Sequence, residues 1–398
     1  MMSVLFFGLV TLAVLFGSHY LLYATTVRFF AIASPAARTV LKAAVLVLAV
    51  GFILSALLLR VHRNPVTEGF AWVAAVWLGL MLHLIAAMAL IWLVRGVATA
   101  ARYAADMRVV CGTFYALAAI ATAYGAVNAL HPRVKEVSVE LEGLPDQWEG
   151  ETLVHISDVH LGSIRRVGFL RSVVEKINAL EPALILITGD LFDGMGGNLG
   201  SFAELLDSLD ASKGVFFVTG NHEGYLGLTE PLSVLERARI RVLDDEVVDV
   251  DGLQIVGVSF PEFDMEHKAR SVSRLGDLID PAKPSILLYH TPTDVAGSSF
   301  DRAEQQAQTY LSPDVEFSFA RTHGIDLQLS GHTHEGQVFP FTYLTKWIFG
   351  GYHYGLHAID GFSLYVTSGV GTWGPPLRTG SRSEIVAIRL DSSHARER

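Results

Sequence analysis

Cysteine is nearly absent from this chain, and acidic side chains are nearly absent from its first third. One cysteine, Cys111, occurs among 398 residues, which excludes a disulfide framework within one chain and a structural zinc site rich in cysteine. Residues 1–130 hold eight Lys/Arg and two Asp/Glu, so the formal charge of −10 divides into +6 for this part and −16 for the remainder. Because an acidic domain is not drawn to nucleic acid by its net charge, we expect no nucleic-acid partner.

The front of the chain is dominated by four long apolar stretches, residues 3–24, 39–60, 69–94 and 109–130. Each has the length of about 20 residues that a helix needs to cross the hydrocarbon core of a bilayer. Trp72, Trp77 and Trp92 stand where interfacial anchors are common. The pattern predicts a transmembrane region of four helices over residues 1–130. For the first stretch, a cleaved signal peptide is the alternative, although it lacks a basic leading segment.

The distribution of Lys and Arg predicts the orientation of these helices. The first and third loops, with their flanks, carry three Lys/Arg each. The second loop carries two, the N-terminal tail carries none, and Arg133 and Lys135 follow the fourth stretch. We therefore expect the first and third loops inside. This makes the chain a multi-pass protein of the cell membrane, with its acidic domain outside the cytoplasm.

Behind a linker and a first strand at 131–150, strand-like and helix-like segments alternate. "ETLVHIS", "PALILIT" and "GVFFVT" have the apolar character of buried strands, while "GFLRSVVEKINAL" and "SFAELLDSL" have helical spacing. Such alternation indicates a parallel sheet covered by helices. Five later strand candidates, "LQIVGVSF", "SILLYH", "IDLQLS", "FSLYVTS" and "EIVAIRL", raise the number to that of two packed sheets. The predicted fold class is α/β, with a two-sheet α/β/β/α sandwich over 151–398 behind the transmembrane helices.

Polar side chains follow five of the predicted strands, at the point where each strand ends. They are Asp158 and His160 in "DVH", Asp190 in "GD", Asn221 and His222 in "GNH", His290 in "YH", and His332 and His334 in "GHTH". In folds of this kind, ligands bind beyond the carboxyl ends of the strands. A polar loop explains one or two such ends, but five in succession favour a metal site.

The types of these residues predict the metals and the chemistry. Carboxylate, carboxamide and imidazole without thiolate suit Mn, Fe or Zn. The seven expected ligands are too many for one ion, and two divalent ions about 3.5–4 Å apart would use them all if one carboxylate were shared. Such a pair lowers the pKa of water and holds the oxygens of a phosphoryl group. The glycines before Asp190, Asn221 and His332 are expected to leave room for that group.

The motifs "DVH", "GD", "GNH", "H" and "GHTH", in this order, resemble the signature of calcineurin-like metallophosphoesterases over about residues 150–390. The segments "SDVHLG" and "GVGTWGPPLR" are similar to those of a bacterial membrane-associated branch of that family. The resemblance implies that one ion is held by Asp158, His160, Asp190 and His334. It implies that the other ion is held by Asp190, Asn221, His290 and His332.

The resemblance also assigns catalytic roles and shows where this chain departs from the family. It implies that His222 donates a proton to the leaving oxygen, with Asp193 either orienting that histidine or solvated in its loop. Gly194 stands where protein phosphatases of the family carry arginine, which argues against a phosphoprotein substrate. Glu335 replaces a glycine of the branch and either supports the ligands or, as we expect, faces solvent. Arg378 either meets a phosphate or forms a salt bridge with a neighbour.

These observations support three functions. The first is a membrane-tethered, dinuclear metallophosphoesterase that hydrolyses a phosphodiester or related ester outside the cytoplasm, with lipid-linked esters among its candidate substrates. The second is a pyrophosphate hydrolase, facing the cytoplasm, that acts on a nucleotide-linked lipid precursor. The third is a sensor or transporter whose soluble domain only binds a phosphorylated ligand, although such a domain need not keep a full ligand set.

The aromatic stretch "FPFTYLTKWIFGGYHYG", residues 339–355, directly follows the expected ligands of "GHTH" and carries one charged residue, Lys346. A surface so apolar usually marks an interaction site, and Tyr and Trp suit the headgroup region of a membrane. We expect this stretch to meet the membrane interface or a lipid-like substrate. Packing in the core under a long loop is the alternative.

Overall fold

The computed structural model describes residues 2–195, 197–261, 265–295 and 312–392 of the chain. Contacts divide the chain into two compact units. One comprises Met1–Val127 with Gly374–Leu377, and the other comprises Asn128–Trp373 with Arg378–Arg398.

The first unit contains four long apolar helices, α1 (Met2–Phe29), α2 (Pro35–Val61), α3 (Pro65–Ala100) and α4 (Met107–Leu130). All four are long and apolar enough to cross a membrane, which confirms the predicted transmembrane helices. Each extends beyond the predicted stretch, because capping groups lie outside the apolar run. At the start of α3, for example, the side chain of Asn64 accepts hydrogen bonds from the backbone N–H groups of Val66 and Thr67.

The second unit contains two six-stranded sheets. The first sheet, in spatial order, consists of β1 (Arg133–Leu141), β12 (Glu384–Ser392), β2 (Thr152–Ile156), β3 (Leu184–Thr188), β4 (Val215–Val218) and β5 (Arg241–Val242). The second consists of β10 (Gly355–Ile359), β11 (Phe362–Val366), β9 (Leu327–Ser330), β8 (Ser285–Tyr289), β7 (Leu253–Val258) and β6 (Glu246–Val250). The central strands β2, β3 and β4 are parallel to one another, as are β7, β8, β9 and β11.

Both sheets are mixed rather than purely parallel, in contrast to the simplest interpretation of the sequence. In the first sheet, β12 pairs antiparallel with β2. The second sheet has an antiparallel pair at each edge. Strand β6 pairs antiparallel with β7, and β10 pairs antiparallel with β11. Each pair is joined by an Asp-Gly turn, at Asp251-Gly252 and at Asp360-Gly361, in which both residues have positive φ. Two-residue turns of this kind return the chain directly beside the preceding strand, so these two outer strands need no crossover helix.

The second unit also contains shorter helices: α5 (Val167–Asn178), α6 (Ala203–Leu206), α7 (Asn221–Leu226), α8 (Thr229–Arg237), α9 (Met265–Gly276), α10 (Ser318–Thr322) and α11 (Phe341–Ile348). Leu186 of the first sheet and Ile286 and Leu329 of the second belong to one buried cluster between the sheets. Separate clusters join the first sheet to α5 and α8, and the second sheet to α9 and α10. The unit is therefore the predicted α/β/β/α sandwich.

Two parts of the chain differ from their predicted local structure. The segment "SFAELLDSL" forms a 3-10 helix, Leu199–Phe202, and the single turn of α6 rather than a longer helix. The aromatic stretch forms helix α11 before its two glycines, and those glycines lie in the turn that follows the helix.

Candidate metal centre

The predicted ligands share an uncommon backbone conformation. Five of the seven have φ values between 49° and 68°, namely Asp158, His160, Asp190, His332 and His334. For residues other than glycine, this left-handed region costs roughly 1–2 kcal/mol per residue. Such strain persists only where the surrounding structure imposes it, and it concentrates at functional sites. The chain thus turns sharply at the end of β2, β3 and β9, and each turn directs polar side chains across the edge of the sheets.

The first group of ligands consists of Asp158, His160 and His334, all buried. The Nε2 atoms of His160 and His334 lie 3.1 Å apart, and Nε2 of His334 lies 3.3 Å from Oδ1 of Asp158. Asp158 Oδ1 is buried but accepts no hydrogen bond from the part of the chain that the structure describes. Because an unpaired buried carboxylate oxygen is costly, a cation among these atoms fits the arrangement.

The second group brings together Asp190, Asn221, His290 and His332. Nδ1 of His332 lies 3.1 Å from Oδ1 of Asn221 and 3.2 Å from Nε2 of His290. That same Nε2 is 3.1 Å from Asn221 Oδ1 and 3.3 Å from Oδ2 of Asp190. Two imidazole nitrogens and two oxygens thus face a common point, as the ligands of a Mn, Fe or Zn ion do.

Asp190 lies between the two groups. Its Oδ2 atom is 3.3 Å from His290 of the second group and 3.9 Å from Nε2 of His160 in the first. Its other oxygen, Oδ1, accepts a hydrogen bond from the backbone N–H of His222 at 2.8 Å. Asp190 is therefore the carboxylate that is placed to be shared by two ions.

The electrostatics of the centre also fit cations. Burial lowers the pKa of His160 to about 3 and that of His334 well below its ordinary value, so both rings are neutral and have lone pairs to offer. Burial also lowers the pKa of His290, but the carboxylate of Asp190 outweighs this and raises it to about 9. The negative charge of Asp190 thus favours the protonated, positively charged form of His290. A divalent ion beside Asp190 would stabilise the carboxylate in the same way.

Hydrogen bonds to the backbone orient the ligands. Nδ1 of His290 lies 2.7 Å from the carbonyl oxygen of Thr188, so this nitrogen donates and Nε2 is the nitrogen that faces the centre. The backbone N–H of His332 donates to Oδ2 of Asp158 at 2.9 Å. The expected room for phosphate beside Gly220 and Gly331 is instead taken by the carboxylates of Asp190 and Asp158.

His222, the expected proton donor, stands beside this centre. Its Nε2 lies 3.9 Å from Oδ2 of Asp190, and its Nδ1 accepts a hydrogen bond from the backbone N–H of Gly194 at 2.9 Å. A neutral His222 therefore carries its proton on Nε2, the nitrogen nearer the metal ligands. Burial lowers its pKa, but the charges of Asp190 and Asp193 outweigh burial and raise the pKa above its ordinary value.

Asp193 is close to His222 without a short hydrogen bond to it. Its Oδ1 lies 3.7 Å from Nδ1 of His222, and the N–H of Gly194 already occupies that nitrogen. His160, Asp193 and His222 nevertheless form one group with atoms within 4.8 Å of one another. In this geometry Asp193 acts on His222 by its charge, while the backbone of the adjacent glycine sets the orientation of the ring.

Arg378 differs from both of its predicted roles. It is fully buried and forms no ion pair with the residues that the structure describes. Its guanidinium donates to the carbonyl oxygens of Ser368 at 2.6 Å and Gly371 at 2.7 Å, and it lies 3.2 Å from Nδ1 of His334. It therefore ties the loop after β11 to a predicted ligand.

Glu335, which we expected to face solvent, is half-buried. Burial, with the charge of Glu384, raises the pKa of Glu335 to about 7.

Glu223 is a residue of this centre that the sequence analysis missed. Its fully buried carboxylate accepts hydrogen bonds from the backbone N–H groups of Asp190 at 3.0 Å, Phe192 at 3.0 Å and Gly220 at 2.8 Å. It thereby joins the loops that follow β3 and β4. Burial, together with the charge of Asp190, raises its pKa to about 7. The available signal was the glutamate three residues after Gly220, the spacing of a capping box at the start of α7.

We expect Glu223→Gln to destabilise the catalytic unit by about 1–3 kcal/mol, because an amide has one acceptor oxygen and turns its NH₂ group toward backbone donors. Metal affinity should fall as well, since the loop carrying Asp190 loses its anchor. Thermal unfolding and titration with Mn²⁺ measure the two effects. Glu230→Gln, at an exposed position of α8, is the matched control. Unchanged stability and affinity of Glu223→Gln would show that these hydrogen bonds do not hold the loop.

Comparison with known proteins identifies the family. Residues 151–336 match the family model of the calcineurin-like phosphoesterases. An uncharacterised metallophosphoesterase of Helicobacter pylori is 34% identical over 65% of this chain and 64% of its own length. A transmembrane protein with a metallophosphoesterase domain from Danio rerio is 34% identical over 69% of this chain and 61% of its own length. The chain thus spans less than two thirds of the length of these two relatives.

An uncharacterised metallophosphoesterase of Aquifex aeolicus is covered almost completely, with 31% identity over 69% of this chain and 97% of the relative. All of the predicted strand-end motifs lie within or close to the region matched by the family model. The chain therefore belongs to the family of calcineurin-like metallophosphoesterases.

Proposed function

We propose that this membrane protein is a dinuclear metal-dependent phosphohydrolase that cleaves a phosphodiester, or a related ester, of a lipid-linked substrate. The observation that carries the proposal is the place of Asp190, whose Oδ2 atom lies within 3.9 Å of ligand nitrogens in both groups. Two divalent ions held there would supply a water of lowered pKa and positive charge for the phosphoryl oxygens.

The chain's own residues would position the ester and move the proton. Seven ligands would fix the ions in a site lined by imidazoles, two carboxylates and one carboxamide. The Nε2–H of His222 points into the space beside Asp190 and would protonate the leaving oxygen, while Asp193 would stabilise the charged form of the ring. Gly194, beside His222, stands where protein phosphatases of the family carry an arginine. The proposed substrate is therefore not a phosphoprotein.

Charge around the helices supports an extracytoplasmic catalytic unit. Counted with their flanks, the connections after α1 and α3 carry three Lys/Arg each, against two for the connection after α2, none for the N-terminal tail, and Arg133 and Lys135 after α4. By the positive-inside rule, both termini then lie outside the cytoplasm. The reverse orientation is the one required by the alternative function, the hydrolysis of a nucleotide-linked lipid precursor.

Reconstitution with excess Mn²⁺ should give about two ions per chain, and Asp190→Asn should lose both or bind them weakly, because the shared carboxylate contributes to both sites. Elemental analysis of the purified full-length protein measures the occupancy. Asp210→Asn, a surface carboxylate, should keep both ions. Full occupancy and full activity of Asp190→Asn would refute the shared role of this carboxylate.

Replacement of His222 by alanine should leave the metals bound and lower kcat by about 10²–10⁴-fold, the usual contribution of a general acid. The loss should shrink for esters with good leaving groups such as nitrophenolate, which barely need a proton. A series of diesters with leaving groups of different pKa, assayed at fixed metal occupancy, measures this dependence. His131→Ala, at an exposed position, is the control. An equal loss across the series would contradict the assignment.

Alkaline phosphatase fused to the C-terminus should be active in cells, and green fluorescent protein exported by the same route should be dark, because the charge bias places this end outside the cytoplasm. Enzyme activity and fluorescence, normalised to the amount of fusion protein, provide the measurement. The reverse pattern would place the catalytic unit in the cytoplasm and favour the alternative function.

A further inference from the structure

An exposed aromatic surface lies next to the metal centre. It consists of Phe339, Phe341, Tyr343, Leu344, Trp347 and Trp373, which we call the aromatic ridge. These six are the majority of the eleven exposed large apolar side chains in the described residues after Val127, and the other five are scattered. Trp347 is 78% exposed and Tyr343 is 69% exposed. Isolated exposed apolar residues are ordinary, but a concentration of this kind marks an interaction site.

The ridge is held rigidly. At its start, the carbonyl oxygen of Gln337 accepts hydrogen bonds from the N–H groups of Thr379 at 3.1 Å and Gly380 at 3.0 Å. The side chain of Gln337 donates to the carbonyl of Trp373 and accepts from its N–H, both at 2.9 Å. This pair of hydrogen bonds holds the loop of Trp373 beside the start of α11. The backbone that carries the exposed rings is therefore fixed by hydrogen bonds and not by burial of the rings.

The same helix is attached to the metal centre. It begins five residues after Gly336, in the turn that follows "GHTH", and it ends at Ile348. The next residue, Phe349, is buried against the ring of His332 at a centroid distance of 6.3 Å. No residue of α11 itself is buried. From the sequence, this stretch was expected at a membrane interface or lipid-like substrate, with core packing as the alternative. The structure places Phe349 in the core and Trp347, two residues before it, on the surface.

We propose that the aromatic ridge inserts into the headgroup region of the bilayer that holds α1–α4, and that it presents lipid-borne phosphate esters to the metal centre. We favour a lipid surface as the partner of the ridge because the same chain carries four helices that are long and apolar enough to cross a membrane. Trp and Tyr have an apolar ring and a polar atom, which suits the headgroup region. Lys346, exposed within the same helix, adds a positive charge that attracts anionic headgroups.

Accessibility of spin labels in the full-length protein tests the docking without any assay of activity. In a Cys111→Ala background, single cysteines at positions 343 and 347 are labelled with a nitroxide in nanodiscs of phosphatidylcholine and phosphatidylglycerol. Positions 225 and 278, where Tyr225 and Leu278 are similarly exposed, are the matched controls. We expect oxygen to reach the labels at 343 and 347 and a water-soluble nickel chelate to be excluded, with the opposite result at the controls.

Two results would overturn the proposal. Labels on the ridge that are as open to the chelate as those at 225 and 278 would place the ridge in water. Labels protected from both oxygen and chelate would show that protein covers the ridge, either a second copy or another partner.

A kinetic comparison tests the presentation of substrate, and this part rests on the proposed function. In reconstituted vesicles, Tyr343→Ser with Trp347→Ser should lower kcat/KM for a phosphodiester anchored in the bilayer by about tenfold or more, since withdrawing one large apolar side chain from water is worth at least that factor. Hydrolysis of bis(4-nitrophenyl) phosphate in solution should not change. Phe349→Ala is the control for lost packing, and it should lower both rates and melt earlier.

If the double variant lowers both rates and melts earlier, the two rings support the fold and the proposal fails. If the native chain with bound Mn²⁺ hydrolyses neither ester, the proposed function fails, and the accessibility of the labels still decides whether the ridge enters the bilayer.

Discussion

The structure of the catalytic unit depends on one electrostatic constraint, the convergence of seven predicted metal ligands at one edge of the sandwich. Imidazole nitrogens of neighbouring predicted ligands lie 3.1–3.2 Å apart, and a buried oxygen of Asp158 faces them without a hydrogen bond from the described part of the chain. Lone pairs this close repel one another unless a proton or a metal ion lies between them. The left-handed backbone of five predicted ligands, and the hydrogen bonds that Glu223 and the Thr188 carbonyl accept, hold this arrangement in place. Backbone strain and electrostatic repulsion are thus concentrated at the predicted ligands, where the free energy of binding a metal ion would offset them.

Each half of the centre draws on both sheets. Asp158 and His160 follow β2 of the first sheet, and their partner His334 follows β9 of the second. Asp190 and Asn221 follow β3 and β4, whereas their partners His290 and His332 follow β8 and β9. A metal ion in either group would therefore connect the two sheets at their common edge, opposite the many apolar contacts of the shared core. Metal binding and the stability of the sandwich are coupled by this geometry.

The sequence was sufficient to predict the layers and the membrane helices, because both depend on apolar runs of characteristic length. It was also sufficient to predict that these polar side chains converge, since carboxyl ends of parallel strands meet at one edge. Their assignment as metal ligands stays a prediction. The outer hairpins were missed although each contains an Asp-Gly turn, a recognisable signal. Glu223 and Arg378 could not be assigned from residue type, because their partners are backbone groups of loops that only the folded chain brings together. Exposure of Trp347 and burial of Phe349 likewise depend on how α11 packs.

The charge of the chain bears on how a substrate arrives. The part after residue 130 carries a formal charge of −16, and this field opposes the capture of anionic phosphate esters from solution. Two divalent ions would reverse the sign only locally, within about a Debye length of 8–10 Å. An ester confined to the same bilayer as α1–α4 reaches the centre at a high effective concentration without long-range attraction, in the manner of a tethered ligand. Transmembrane helices joined to an acidic catalytic unit are therefore consistent with the proposed lipid-linked substrate.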